Sequence, residues 1–248
     1  MTLDEKPISI SVIVPAYNEE KYLGETLKSI HRAVRFLQKK DAVTTEVIVV
    51  DNESIDSTAA IASSFGASVI KESQHNVAAV RNSGANFAKG NVLVFVDADT
   101  IVPEELLWRI HEILVSPTCF GGAVDTDYRP AKTSVKTYLQ LWRILGKLAG
   151  VAQGATQFCR SEVYASLHGY DESIYMGEDV DFFWRMKRFA KRNKGHACFI
   201  EDIHVVPSTR RFDQWSLWRT LISTNPFYVL AFRRRSKSWR GWYTDIPR

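Results

Sequence analysis

Three short apolar runs, each followed at once by polar residues, constrain the fold of this 248-residue chain most strongly. They are ISISVIV at residues 8–14, EVIVV at 46–50 and VLVFV at 92–96. Short, β-branched runs without a polar face are typical of parallel strands that are buried on both faces. We therefore expect three central strands whose connections return the chain to the same edge of one sheet.

Helical patterns fill the segments between these runs. Apolar residues recur at helical spacing between residues 19 and 39, residues 76–88 read as a helix of small side chains, and Pro103 opens another helix. Strands that alternate with helices to about residue 115 predict right-handed βαβ units. The expected fold class is therefore α/β, with a mostly parallel sheet flanked by helices.

Polar turns after the strands are the candidate ligand-binding residues, because ligands of such sheets lie beyond the carboxyl ends of the strands. The turns AYNE at 16–19, DNES at 51–54 and DAD at 97–99 should line one crevice. Asp97 and Asp99 would repel each other after a buried strand, so we expect a positive group beside them or an open strand end. A divalent cation is one such group, and a pair of turn or helix-capping aspartates is the alternative.

Fingerprints of two other nucleotide-binding classes are absent from the sequence. It contains neither GxGxxG nor GxxxxGK[ST], which weighs against a Rossmann dehydrogenase and a P-loop enzyme. The turn after the first strand has no glycine, which disfavours a sugar nucleotidyltransferase. We keep this class of enzyme as one alternative function. Asp51 could accept a hydrogen bond from a base or ribose, or it could cap its own turn. Arg81 could pair with a phosphate or with Asp51, or lie on a solvated helix face.

Four ordered segments give the chain a more specific resemblance. They are SVIVPAYNEEKYLGETLKSI, EVIVVDNESIDST, NVAAVRNSGANFAKGNVLVFVDADT and YMGEDVDFFWRMKR. Over residues 8–212 the chain resembles the inverting glycosyltransferases of family 2. The resemblance implies the GT-A fold, in which a nucleotide-sugar-binding α/β half, residues 1–115, is fused to an acceptor-binding and catalytic half, residues 116–212.

The resemblance also implies roles for individual residues in the donor site. Those expected around the nucleotide-sugar are Pro15, Ala16, Tyr17, Glu19, Asp51, Arg81, Asp97 and Ala98, with Asp51 at the base and Asp97 near the ribose or sugar. Asp99 would bind the Mn²⁺ or Mg²⁺ that bridges the diphosphate. Thr100 stands where relatives often carry a further Asp, so His204 is a candidate second metal ligand; a core or surface His is the alternative.

Asp179 is the general base that the resemblance implies. An inverting transfer needs one carboxylate that deprotonates the acceptor hydroxyl while this hydroxyl attacks the anomeric carbon. The alternative is that Glu178 and Asp179 only favour the positive end of a helix. Glu178 is otherwise expected to contact acceptor or phosphate. Asp181 is expected to be structural and to pair with Arg185 one turn later.

Basic residues are concentrated towards the C-terminus. Arg210 and Arg211, on a predicted mobile loop, could clamp the diphosphate of donor or acceptor or be solvated. Residues 203–248 carry a net charge of +7 against +4 for the whole chain, so residues 1–202 sum to −3. Aromatic residues interleave with these charges in the basic C-terminal segment, residues 213–248, which suits an anionic surface.

The expected partners follow from these features. They are a nucleotide-diphospho-sugar donor and an unidentified acceptor, with a lipid-linked sugar or a glycolipid as the hypothesis, and no nucleic acid. We expect the C-terminal segment to dock at the inner membrane surface; packing of the segment on the domain is the alternative. A non-catalytic module that binds anionic surfaces is the second alternative function. The motif QxxRW of processive synthases is absent, which favours transfer of single sugars.

The cellular location is predicted to be cytoplasmic. No apolar run in the sequence reaches the length of a membrane-spanning helix, and the N-terminus has no apolar signal core. Cys119, Cys159 and Cys198 are scattered and form no CxxC pair, which is typical of reduced thiols in the cytosol.

Overall fold

The computed structural model describes residues 7–148 and 155–239. Its sheet has eight strands in the order β3-β2-β1-β4-β7-β6-β8-β5. The strands are β1 Ser9–Ala16, β2 Thr44–Asp51, β3 Ser68–Lys71, β4 Val92–Val96, β5 Thr100–Ile101, β6 Cys119–Thr126, β7 Thr156–Arg160 and β8 His196–Pro207. The helices are α1 Leu23–Lys40, α2 Thr58–Ser64, α3 Val77–Phe87, α4 Leu106–Leu114, α5 Thr133–Leu148, α6 Ser161–Ser166, α7 Glu178–Arg192, α8 Arg210–Gln214, α9 Leu217–Ser223 and α10 Pro226–Phe232.

The first half of the sheet has the predicted parallel arrangement. Strand β1 pairs in parallel with β2 on one side and β4 on the other, and β2 pairs in parallel with β3. The chain thus adds β2 and β3 on one side of β1 and then crosses to the other side of β1 to form β4. The order of the strands therefore reverses between β1 and β4. In an α/β sheet this reversal opens a crevice at the carboxyl ends of the two strands, and the polar turns after β1 and β4 lie there.

The second half extends the same sheet with both strand directions. Strand β7 is antiparallel to β4 and to β6, β8 is parallel to β6, and β5 is antiparallel to β8. Parallel pairs outnumber antiparallel ones only slightly, four to three. Because β7 inserts directly beside β4, the two predicted halves share one sheet, and the division at residue 115 stays a prediction.

Helices cover both faces of the sheet, and one glycine sets how closely α3 approaches. A β-carbon on Gly84 would lie 2.4 Å from Ile13 Cγ2 and 2.9 Å from Val50 Cγ2. The bare backbone therefore lets α3 pack directly on β1 and β2. Arg81, one turn earlier on α3, is carried to the end of the sheet by this contact.

One sequence prediction differs from the structure, and another lies partly outside the described residues. Residues 207–212 were expected to form a mobile loop, but Pro207 ends β8 and Arg210 begins α8. Residues 240–248 of the C-terminal segment lie outside the described residues. The three cysteines are free thiols, as expected. Within the described ranges, no helix has both the length and the apolar character that crossing a bilayer requires.

Candidate active site

One cleft of about 670 Å³ opens where β1, β2 and β4 end and α7 begins. Its lining residues are Pro15, Ala16, Tyr17, Glu19, Asn52, His75, Val77, Val80, Arg81, Asp97, Ala98, Asp99, Tyr128, Ala155, Tyr175, Met176, Gly177, Glu178, Asp179, Arg211, Ser236 and Lys237. The cleft thus brings together most of the residues that the sequence singled out. It does so from both halves of the chain.

The β1 and β2 turns form one wall of the cleft. Tyr17 lies against the ring of His75, with the ring centroids 5.1 Å apart. Asn52 fixes the loop that carries His75, because its Nδ2 donates to the carbonyl oxygens of Glu72 and Gln74 at 2.6 and 3.1 Å. An aromatic pair beside an amide side chain is suited to a flat, polar ring such as a nucleobase.

Asp51 lies behind this wall. It is 3% exposed, and its Oδ1 accepts a hydrogen bond from the backbone N–H of Ser54 at 3.1 Å. This geometry is that of the turn-capping alternative. The neighbouring Asn52 lines the cleft instead, and a contact between Asp51 and a base stays a prediction.

The Asp97-Ala98-Asp99 turn has positive groups on both sides, as the repulsion between its carboxylates required. Arg81 Nη2 donates to Asp97 Oδ1 at 2.9 Å, and Arg210 Nη2 lies 3.4 Å from Asp99 Oδ2. Burial in the cleft raises the pKa of Asp97 to about 6, although the adjacent Arg81 opposes the shift. Burial, together with the nearby carboxylate of Glu19, also raises the pKa of Asp99.

Arg81 links this turn to the helix that carries the candidate base. Its side chain is 4% exposed, and Nη1 donates to Glu178 Oε1 at 2.7 Å. Its guanidinium lies 5.2 Å from the ring centroid of Tyr170. Of the alternatives left open for Arg81, the pairing with Asp51 and the solvated helix face are therefore wrong: its partners are Asp97, after β4, and Glu178, at the start of α7.

Asp179 stands in the first turn of α7, beside the cleft. Gly177 precedes the helix with φ 77°, a conformation that glycine adopts without strain, and so turns the chain into α7. The backbone carbonyl of Asp179 accepts from Gln157 Nε2 at 2.9 Å. Burial and the adjacent Glu178 raise the pKa of Asp179 to about 7. A half-buried carboxylate with this pKa can exchange a proton near neutral pH.

The structural role predicted for Asp181 is confirmed. Its Oδ2 accepts from Arg185 Nε at 2.7 Å, one helical turn away, and Arg233 Nη1 lies 3.6 Å from its Oδ1. Asp181 therefore takes part in packing α7, and the cleft is lined by its neighbours Glu178 and Asp179.

Arg210 and Arg211 differ in their surroundings. Arg210 is 7% exposed, binds both carboxylate oxygens of Glu19, and lies 4.4 Å from the ring centroid of Tyr22. The positive charge of Arg210 is thus paired with the carboxylates of Glu19 and Asp99. Arg211 lines the cleft, so of the two it is the arginine placed to meet a phosphate. The clamping role of both arginines stays a prediction.

His204 lies with a different group of residues. Its Nδ1 is 3.4 Å from Asp125 Oδ2 and 3.5 Å from Arg143 Nη2. It is not one of the cleft-lining residues. The structure therefore does not bring His204 together with Asp99, and its metal role stays a prediction that this position does not support.

Asp99 is the carboxylate best suited to a divalent cation. Its side chain is 18% exposed, and burial together with the carboxylate of Glu19 raises its pKa, although Arg210 and Arg211 oppose the shift. Among residues 7–148 and 155–239, no three His, Cys, Asp or Glu side chains are grouped so that they could hold a metal ion. Mg²⁺ typically takes one or two carboxylates together with substrate phosphates. The oxygen donors present thus fit a cation that is shared with a diphosphate.

Several cleft residues escaped the sequence analysis. His75 follows the end of β3, so the strand-end rule could have included it. Tyr128 and Lys237 reach the cleft from segments without a recognisable motif, and Tyr175 opens the segment YMGEDVDFFWRMKR but carries no predicted role of its own. Their positions depend on how the second half folds back over the first.

Comparison with known proteins gives a consistent result. The model of the family described as glycosyl transferase family 2 matches residues 11–165, more than half of the chain. The glycosyltransferase AglE of Haloferax volcanii is 27% identical over 184 residues, which cover 69% of this chain and 59% of AglE.

Solved structures resemble the chain over a larger share of its length. The mannosyltransferase PcManGT of Pyrobaculum calidifontis, in complex with GDP-Man and Mn²⁺, superposes with a TM-score of 0.68 at 20% identity. The match covers 95% of this chain and 65% of PcManGT. TarS of S. aureus in complex with UDP-GlcNAc gives a TM-score of 0.60 at 19% identity, over 81% of this chain and 59% of TarS. At these identities the likeness concerns the fold, which is the GT-A fold, and the chain spans under two thirds of each relative.

Proposed function

Because the chain belongs to glycosyl transferase family 2, we propose that it transfers one sugar from a nucleotide-diphospho-sugar to an acceptor hydroxyl, with inversion at the anomeric carbon. Asp179 is the general base of this proposal. The observation that carries it is the position of Asp179: a carboxylate with a pKa near 7 in the same cleft as the strand-end turns. The sugar, the base of the nucleotide and the acceptor are not assigned.

The donor end of the cleft is assigned to the β1, β2 and β4 turns. Tyr17, His75 and Asn52 would hold the nucleoside, and Asp97 would contact the ribose or sugar. Asp99 would hold Mn²⁺ or Mg²⁺, which when bound neutralises charge on the diphosphate. Support for this donor class comes from the two solved structures of similar fold, which hold GDP-Man with Mn²⁺ and UDP-GlcNAc.

The acceptor would enter on the side of α7. Asp179 would accept the proton of the acceptor hydroxyl while the oxygen attacks the anomeric carbon on the face opposite the diphosphate. Arg211 and Lys237 would offset negative charge on a bound phosphate. Tyr175 and Met176, next to Gly177 in the cleft wall, would contact the acceptor.

A screen for the donor is the first test. The protein is incubated with UDP-, GDP- and TDP-sugars and Mn²⁺, and release of the nucleoside diphosphate is measured. We expect release from one class of donor. Formation of pyrophosphate from a nucleoside triphosphate and a sugar phosphate would indicate a sugar nucleotidyltransferase instead.

The base assignment is tested with two variants of the same helix. Asp179→Asn should abolish transfer and leave donor binding within about twofold, because the carboxylate acts only on the acceptor. Asp181→Asn removes an equal charge from the first turn of α7 and should keep most of the activity. Equal loss in both variants would support the alternative role of these acids, which is only to favour the helix N-terminus.

The role of Asp99 is tested by calorimetry. Titration of the donor's nucleoside diphosphate with and without Mn²⁺ should show metal-dependent binding in the native protein. Asp99→Asn should weaken this binding about tenfold or more, because a metal-bridging carboxylate is lost. Unchanged affinity in the presence of Mn²⁺ would contradict the assignment.

The place of action also belongs to this proposal. We keep the prediction of a cytoplasmic protein that works at the inner membrane surface, with a lipid-linked or glycolipid acceptor. Its support is the basic aromatic C-terminal segment.

A further inference from the structure

Exposed large apolar side chains are concentrated on three helices. The described residues include eleven such side chains. Seven of them belong to α5, α9 and α10: Leu141, Ile144, Leu145, Leu217, Trp218, Ile222 and Leu230. The other four are scattered over the first half of the chain, as single exposed hydrophobic residues usually are. A concentration on three helices requires a separate explanation.

The three helices are neighbours. Helix α9 contacts both α5 and α10, and the Tyr138 hydroxyl lies 2.8 Å from Thr224 Oγ1 at the end of α9. The sequence predicts that the apolar face of the helix at residues 132–148 packs in the core or between domains rather than on a membrane, and core packing is confirmed for Val135 and Leu139 of α5, which pack with Phe212. It is wrong for Leu145, which is 42% exposed.

The spacing of the exposed residues gives α5 and α9 an apolar stripe each. Leu141 and Leu145 are one turn apart on α5, and Trp218 and Ile222 are one turn apart on α9. Trp218 is 75% exposed, the most of the seven. We call the exposed residues of α5, α9 and α10 the apolar-basic face, since their neighbours are basic.

The charge of these segments has a single sign. Residues 129–148 and 214–239 contain ten Lys or Arg and no Asp or Glu, although the whole chain has a net charge of only +4. All other residues together therefore sum to −6. Lys136, Arg219 and Arg235 are exposed on or directly beside the three helices. Exposed apolar residues among basic ones are typical of segments that lie in the interface of an anionic membrane.

The face borders the active-site cleft on the side of Asp179. The carbonyl of Arg233, directly after α10, accepts from the backbone N–H of Tyr175 at 2.7 Å. Ser236 and Lys237, a few residues later, line the cleft together with Tyr175. A surface that meets α10 would therefore lie beside the cleft opening.

We propose that the apolar-basic face docks on an anionic lipid bilayer. Trp218, Ile222 and the α5 leucines would enter the headgroup–acyl boundary, and the surrounding Lys and Arg would contact lipid phosphates. A nucleic acid would leave the aliphatic side chains in water, and a second copy of the chain would place the exposed Lys136, Arg219 and Arg235 against residues of the same charge. An anionic bilayer would bury the exposed apolar side chains and would also place lipid phosphates beside the basic ones. If the proposed function holds, an acceptor carried by a lipid would meet the cleft at the Asp179 side.

Vesicle sedimentation tests this docking. The protein is mixed with vesicles of phosphatidylcholine alone or of phosphatidylcholine with phosphatidylglycerol, and the bound fraction is measured. The native protein should bind the phosphatidylglycerol vesicles. Trp218→Ser with Ile222→Ser should lower the partition coefficient about tenfold or more, because two apolar side chains are removed. Phe87→Ser with Val115→Ser removes two exposed apolar residues elsewhere and should bind as the native protein does.

A charge variant completes the test. Lys136→Glu with Arg235→Glu should reduce binding to vesicles that contain phosphatidylglycerol at least tenfold. Native protein that stays in the supernatant, or equal sedimentation of the Trp218/Ile222 double variant, would overturn the proposal. Binding of a duplex oligonucleotide without binding of vesicles would assign the face to nucleic acid instead. Since sedimentation does not involve sugar transfer, its outcome does not depend on the proposed function.

Discussion

Replacing Arg81 by Met should destabilise the protein more strongly than any change to a surface ion pair. The guanidinium is 4% exposed and donates to Asp97 at 2.9 Å and to Glu178 at 2.7 Å. Met keeps an unbranched apolar stem that packs against Tyr170, but it removes both charge-assisted hydrogen bonds. Two carboxylates are then left near Asp179 without their common cation.

The size of the expected loss of stability follows from how exposed the two carboxylate partners of Arg81 are. Removing one partner of a buried ion pair costs about 3–5 kcal/mol. The Asp97 side chain is 37% exposed and is screened by water, whereas that of Glu178 is only 12% exposed. We therefore expect a loss near the lower limit, about 3 kcal/mol. For a chain of this size this corresponds to a fall in Tm of about 6–12 °C.

The loss of stability in Arg81→Met should depend on pH. Arg81 opposes the rise of the pKa of both Asp97 and Asp179, so its removal raises these two pKa values further. In the folded variant the carboxylates are neutral at low pH and repel one another only when they ionise. The difference in stability between native protein and variant should thus be small at pH 5 and large at pH 8.

Urea denaturation at pH 5 and pH 8 measures this difference. The control is Arg129→Met, which removes a 2.8 Å pair with Asp127 from an arginine that is 66% exposed. A surface pair of this kind contributes at most about 1 kcal/mol. Two results would contradict this prediction: a loss of stability in Arg81→Met no larger than in Arg129→Met, or the same loss in Arg81→Met at both pH values.

Three further outcomes follow from the same geometry. The pH profile of kcat/KM should rise through an apparent pKa near 7, because Asp179, whose pKa burial raises to about 7, accepts a proton only when ionised; a flat profile between pH 5 and 8 would contradict this. Asp179→Asn should raise Tm at pH 8 and leave it unchanged at pH 4, since ionisation destabilises a folded state whose pKa lies above the ordinary 3.8; scanning calorimetry at both pH values checks the sign. Gly84→Ala should lower the free energy of unfolding by about 1–3 kcal/mol, because the new methyl group would lie 2.4 Å from Ile13 Cγ2; an unchanged urea midpoint would mean that α3 can move away from the sheet.

The donor side of the cleft is the part that the sequence predicts best, because its determinants are local. The runs that form β1, β2 and β4 are apolar on both faces, and this pattern alone places the turns after them at one edge. The convergence of Ala16 and Asp97 in one cleft follows from the direction of the strands. It requires no knowledge of the second half.

The partners of charged residues could not be predicted in the same way. Arg81 and Glu178 are 97 positions apart in the chain, and their contact depends on where the start of α7 lies relative to α3. The same holds for Arg210, which reaches Glu19 across 191 positions. No periodic pattern encodes such contacts, since any of several carboxylates at the strand ends would satisfy an arginine equally well in sequence terms.

Arg81 also explains how one cleft can hold five carboxylates. Glu19, Asp97, Asp99, Glu178 and Asp179 all line it, and each would be costly to ionise beside the others. The Arg81 guanidinium pairs with two of them, Asp97 and Glu178. These two carboxylates come from different predicted halves of the chain. The turn that would hold the donor is thereby tied to the helix that carries Asp179 by two hydrogen bonds shorter than 3 Å. If the two halves moved separately, the proposed base would move away from the sugar each time the cleft opened. Even about 1 Å of misplacement is costly in catalysis. Under the proposed role of Asp179 as the base, we therefore interpret the buried ion pair as a device for positioning Asp179 rather than as a source of stability.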